Sequence, residues 1–186
     1  MSERYLLRPM ADSDLERVLA WRNSERIRTC MFTDQPIALE AHRAWWDRAK
    51  SNPQAEHLVF ERDGLPLGVV NVTQIDRHHG RCSWGFYIGE AEAPRGSGTV
   101  MGILALDHIF HRLGVRKLCA EVLGSNAASL GYHLKLGFKQ EGRLVRHVLK
   151  GDRYEDVVLF AHFAADWAAA RPLLAATHLA SGDNHE

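Results

Sequence analysis

The stretch "RGSGTVMGILALDHIF", Arg95 to Phe110, sets two glycines directly ahead of an amphipathic segment with helical spacing. Glycine permits left-handed backbone angles and close approach of main chain to another group. A helix start carries free N–H groups and the positive end of the peptide dipoles, and so favours an anion. By itself "RGSG" is also ordinary loop punctuation, so the flanking chain has to decide. It supplies a strand on each side, "RCSWGFYIGE" before and "RKLCAEVL" after, which makes a central β-α-β unit with a helix expected over Thr99 to Leu113.

The remaining segments build outward from that unit. "RYLLRPM" alternates like a half-buried strand, and "ADSDLERVLAWRN" offers an Asp or Ser cap ahead of Leu15, Val18 and Leu19 at helical spacing. "ALEAHRAWWDRAKS" repeats the helical pattern with His42 and Trp45 on one side. "EHLVFERDGLPLGVVNVTQID" reads as a hairpin turning at Asp63-Gly64. "NAASLGYHLKLG" is a helix opening at Asn126 and closing at Gly137. Two last strands surround Gly151-Asp152. The order β-α-α-β-β-β-α-β-α-β-β predicts an α+β fold, a mixed β-sheet with helices on both faces. The glycine spacing is not GxGxxG and no Gly-Lys-Ser/Thr follows, so dinucleotide and triphosphate loops are excluded.

One domain is expected over 1–167, followed by an Ala-rich extension and polar tail at 168–186. With 23 basic and 23 acidic side chains there is no basic excess for nucleic acid. Cys30, Cys82 and Cys119 have no paired spacing and read as small buried hydrophobes. The N-terminus lacks the pattern of a signal peptide, and no apolar run is long enough to span a membrane, so a cytoplasmic protein is expected. "RHHGR", Arg77 to Arg81, reads as an exposed turn, and no metal is expected.

Against this order, "RGSGTVMGILALDHIF" and "AEVLGSNAASLGYHLKLGFKQEG" resemble the GNAT family of acetyl-CoA-dependent N-acetyltransferases. With "WRN" at Trp21 to Asn23 and "GDRYEDVVLF", the resemblance covers about residues 3 to 163. It implies acetyl-CoA as co-substrate. The pyrophosphate would lie on Arg95, Gly96, Ser97, Gly98 and Thr99. The pantetheine would lie beside Phe86, Tyr87 and Ile88, with Asn126 either capping its helix or reaching the pantetheine amides. Where the family loop commonly begins with Gln or Arg, this chain has Ala93, which puts one side-chain contact in doubt.

Within the family the chain looks like the acetyltransferases of pseudaminic acid biosynthesis, on Arg22-Asn23, "EAHRAWW" around His42 and "GVVNVTQI" around Thr73. That narrower resemblance implies a UDP-linked amino sugar as acceptor, held by Arg22, His42, Thr73 and Tyr87; a homodimer stays open. Arg22 suits a diphosphate. Gln74 replaces a lysine common after the threonine. Ribosomal-protein and polyamine acetyltransferases share "WRN" and "LGF", so either acceptor class remains an alternative, as does a non-catalytic acyl-CoA-binding module. Arg22 and "ERIRTCMF" point away from a polyamine, which would call for acidic groups.

The chemistry needs a neutral amine, a polarised thioester and a proton for the thiolate. Glu121, a carboxylate on the apolar "LCAEVL" strand, is the candidate to hold a proton-accepting water. The family's tyrosine acid falls seven residues after the asparagine. In this chain that position is His133, and the tyrosine stands one step earlier at Tyr132. Adjacent helical residues point about 100° apart, so the two are alternatives for the acid.

Overall fold

The computed structural model describes residues 4–179. The "SGDNHE" tail lies outside them. Seven strands form one mixed sheet: β1 Tyr5–Pro9, β2 Glu56–Arg62, β3 Leu65–Asp76, β4 Arg81–Ile88, β5 Lys117–Leu123, β6 Lys139–Lys150 and β7 Arg153–Phe163. They lie in the order β1-β2-β3-β4-β5-β7-β6. Only β4 and β5 run parallel, joined by helix α4, Ser97–Asp107. The alternation in the strands assigns their faces. Leu58, Phe60, Val70 and Val72 point into one apolar layer, and their neighbours Val59 and Val69 into another.

Helices cover both layers. α1 (Leu15–Asn23) and α3 (Leu39–Ala49) cover the second layer through Leu15, Val18, Trp21 and Trp46. α4 and α5 (Ala127–Lys135) lie over the first. α4 is apolar nearly all round and is buried accordingly. The helix expected to run to Leu113 stays α-helical only to Asp107. It then widens to a π turn, His108–Arg112, with Leu113 N–H bonded to the His108 carbonyl and Ile109 and Phe110 still buried.

Three expectations need correction. Asp14 stands at the cap position of α1, but its carboxylate takes the Ala11 amide and the Arg8 guanidinium instead of the helix amides. Of the cysteines, Cys82 is buried and Cys119 half-buried, whereas Cys30 is exposed and so is no core hydrophobe. Two helices extend the expected order: short α2, Glu25–Arg28, and α6, Ala164–His178. α6 passes without a break through the boundary drawn after residue 167. It is pinned by the Trp167 indole N–H and the Arg171 guanidinium, both donating to Asp107.

Candidate active site

The feature that makes a site is a splay in the sheet. β4 and β5 pair over Arg81–Ser83 and Lys117–Cys119 and then separate, while β4 stays paired to β3 as far as Ile88. Between them opens a cavity of about 720 Å³, lined on one side by Trp84 to Ile88 and on the other by Ala120 to Leu123. Gly98, Asn126, Tyr132 and His133 line it from the helices. A strand edge with no strand partner can pair with an amide-bearing chain. Phe86, Tyr87 and Ile88, the residues expected beside the pantetheine, lie on this edge.

The glycine loop, expected to cradle the pyrophosphate, has several features that suit an anion. Gly96 has φ +92°, open to glycine and strained for other residues. The Gly96 and Gly98 amides donate to no backbone carbonyl among the described residues. Ser97 is 3% exposed and its hydroxyl has no partner. Buried polar atoms without partners are rare enough to ask what completes them. Arg95 is exposed at the lip of the loop, and Thr99 accepts a hydrogen bond from Lys135 at 3.0 Å. These residues fit the diphosphate of a coenzyme A thioester. Asn126 does cap its helix, its side-chain oxygen accepting from the Ser129 amide at 3.0 Å, and it also lines the cavity.

Tyr132 and His133 diverge as adjacent helical residues must. The Tyr132 hydroxyl donates to the Gly98 carbonyl at 2.6 Å, and burial holds its proton on by raising the phenol above its ordinary range. His133 is 2% exposed, between Phe160, stacked at 5.4 Å, and the edges of Phe138 and Trp84. Its Nδ1 lies 2.8 Å from the Ser129 carbonyl, a geometry that requires the proton on Nδ1. Nε2 is therefore bare in the neutral ring, and it has no partner. Burial pushes this imidazole below its ordinary pKa. Glu121 is exposed on the β5 wall of the cavity.

Three of the four residues expected on the acceptor side gather around an adjoining cavity of about 380 Å³. Arg22, His42, Trp45 and Tyr87 line it. Arg22 donates through Nη2 to the Thr33 carbonyl at 2.6 Å, while Nη1 is buried without a partner, and burial lowers its pKa. His42 stacks on Trp45 at 5.2 Å and its buried Nε2 is also unpartnered. Tyr87 is half-buried, its hydroxyl 3.5 Å from the Val18 carbonyl. Thr73 stands apart from this group, between the large cavity and a third, beside an irregular β3 turn at Gln74. Sequence reasoning missed Trp84, whose buried indole N–H is also unpartnered, and the loop residues Met31 and Phe32 that line the large cavity. Nothing in their local pattern separates them from core or loop residues. "RHHGR" is an exposed turn, with His79 bonded to Asp76, and no metal-holding cluster occurs among the described residues.

Comparison with known proteins agrees with this geometry. Residues 4–139 match the family model of the acetyltransferase (GNAT) domain. Spermidine N(1)-acetyltransferase of Escherichia coli is 25% identical over 163 residues, 88% of each chain. The L-methionine sulfoximine/L-methionine sulfone acetyltransferase of Pseudomonas aeruginosa is 23% identical over 155 residues, 81% of this chain and 90% of that one. Among solved structures, the spermidine N-acetyltransferase of Vibrio cholerae in complex with CoA and spermine superposes with a TM-score of 0.82 at 20% identity, covering 88% and 98% of the two chains. These relatives do not support the narrower resemblance to pseudaminic acid enzymes.

Proposed function

We propose an acceptor and a proton route for this chain, which belongs to the GNAT acetyltransferases and moves the acetyl group of acetyl-CoA onto an amine. The acceptor is a polyamine, with spermidine the first candidate. The observation that carries this reading is the spermidine acetyltransferase relative, which matches over nearly the whole length of both chains. Among the described residues, Glu121 is the one carboxylate lining the large cavity, and in this reading it meets an incoming ammonium. A second reading rests on the unpartnered Arg22 Nη1 and His42 Nε2. Those atoms favour an amine that also carries an anionic or carbonyl group, the class to which a sugar nucleotide or an amino-acid derivative belongs.

In either case acetyl-CoA supplies an activated thioester. A main-chain N–H of Phe86 to Ile88 faces the carbonyl oxygen as charge builds there. Glu121 holds the water that accepts the amine's first proton. The bare Nε2 of His133 takes a proton as the amine adds and returns it to the departing sulfur, so the amine nitrogen loses a proton and the thiol gains one. Tyr132 keeps its proton on the Gly98 carbonyl and holds the glycine loop against α5.

The test is to mix the protein and acetyl-CoA with spermidine, spermine, methionine sulfoximine and a UDP-linked amino sugar, following free thiol. Fastest turnover with spermidine supports the first reading. Turnover only with the anion-bearing amines supports the second. Thiol release with none of them refutes both acceptor assignments.

A further inference from the structure

The ten residues from Thr29 to Ala38, between α2 and α3, contain no helix or strand, yet Met31 and Phe32 line the large cavity and Met31 and Ile37 the acceptor pocket. This segment is a roof over the amine channel. Its near side is tied by the two helices that precede it, α1 and α2: Arg22 to the Thr33 carbonyl, Arg28 to the Asp34 carbonyl, and Asn23 to both the amide and the carbonyl of Ile37. Across the splay, the β6–β7 hairpin reaches the same segment. Lys150, the last residue of β6, donates to the Thr29 carbonyl at 2.6 Å and to the Met31 carbonyl at 2.7 Å.

We propose that Lys150 is a positioning residue for the acetyl transfer, a clasp that holds the roof down over the acceptor channel. Two charge-assisted bonds to carbonyls are stronger than neutral ones. They also oppose the entropy of a long side chain, which otherwise leaves an exposed lysine mobile. The clasp joins the β1–β4 half of the sheet to the β5–β7 half at the place where the strands have parted. With the roof down, Met31 and Phe32 narrow the channel and keep stray water from the thioester. The diphosphate anchor lies elsewhere, in the glycine loop at the start of α4, so the cofactor keeps its main anchor when the clasp is lost.

This inference rests on the acetyl-transfer reading, and its test separates the two. Lys150→Met keeps the length of the side chain and removes the donors; Lys150→Arg restores them. In the full chain without acceptor, Lys150→Met is expected to speed amide exchange in Thr29–Ile37 at least tenfold and to raise acetyl-CoA hydrolysis, with acetyl-CoA affinity within about threefold of wild type. Lys150→Arg is expected to reverse both. With spermidine, the KM should rise about tenfold in Lys150→Met while kcat stays near wild type. Unchanged exchange in the roof overturns the clasp. So does a rise spread through β6 and β7, or a larger loss of acetyl-CoA affinity. If wild-type protein does not turn over spermidine, only the acceptor assignment fails, since the exchange and hydrolysis arms use no acceptor.

Discussion

Replacing His133 by phenylalanine sets catalysis against stability at one position. The imidazole is enclosed by Trp84, Phe86, Phe138 and Phe160, with Nε2 buried and unpartnered. Leaving such an atom unsatisfied costs about 1–3 kcal/mol, and the Nδ1 bond to the Ser129 carbonyl gives back about 1 kcal/mol. A phenyl ring removes both, so the folded state should gain between about 0 and 2 kcal/mol. Phenyl is slightly larger than imidazole, and crowding among four rings trims that gain. For a chain of this size each kcal/mol moves the midpoint by about 2–4 °C, so Tm should hold or rise by a few degrees. Catalysis should move the other way, with kcat falling on the order of 10²-fold. Because burial lowers the imidazole pKa, the ring is neutral and competent at neutral pH and loses its free Nε2 only as pH falls below the ordinary histidine range. The acid limb of the kcat profile should therefore vanish in the variant. Calorimetric melting and steady-state kinetics on the same preparation decide it. A lower Tm with kcat near wild type would make His133 a packing residue and refute the proton route.

Two further perturbations test the surroundings. A methyl at Gly102 would stand 2.3 Å from the Tyr132 hydroxyl and 2.9 Å from Leu136 Cδ1, so Gly102→Ala should cost about 1–3 kcal/mol despite alanine's better helix propensity; a neutral or stabilised variant in urea unfolding contradicts the close packing of α4 on α5. Arg8 bonds both Asp14 and Glu61, and Arg8→Met leaves those two largely buried carboxylates without their cation. Since Arg8 is about a third exposed, the loss should sit near about 2–3 kcal/mol. Arg8 holds the Asp14 pKa below its ordinary value, so this stability is full above about 3.8 and is lost as pH falls through the lower, folded value. Urea midpoints measured down to acid pH should show that late loss in the wild type; in Arg8→Met the midpoint should be lower at neutral pH and this acid-dependent step diminished. Identical profiles would remove the ion pair from the account.

What the sequence disclosed follows the range of the forces involved. The turn at Asp63-Gly64, with φ of 51° and 80°, the helix stop at Gly137, with φ +93°, and the strand alternation are local effects written in neighbouring residues. The glycine loop was legible for the same reason. The splay was accessible only through the family resemblance, because β4 continues as a regular strand on its β3 side while losing β5 on the other. The anchoring of α6 was also hidden, since its key partner, Asp107, lies 60 residues from Trp167. "WRN" shows how one motif carries packing beside a candidate binding residue. Trp21 packs so close to Gly89 that any side chain there would collide, and Arg22 and Asn23 hold the roof segment. Part of the motif is therefore scaffold, while Arg22 Nη1 stays unpartnered beside the smaller cavity. His133 illustrates the converse: counting from Asn126 made it a candidate, but only packing shows a buried ring with one nitrogen unpartnered.

The central claim is that the splay and the glycine loop together hold acetyl-CoA. Gly98→Asp addresses it directly. Space exists for a β-carbon there, the nearest atoms being Ile88 Cγ1 at 3.9 Å and Tyr132 Cε2 at 4.0 Å, so the fold should survive. The new carboxylate would stand at a helix start where a diphosphate must approach. Isothermal titration with acetyl-CoA should show the wild type binding and the folded variant losing most of that affinity. Undiminished affinity in a folded Gly98→Asp protein would contradict the claim.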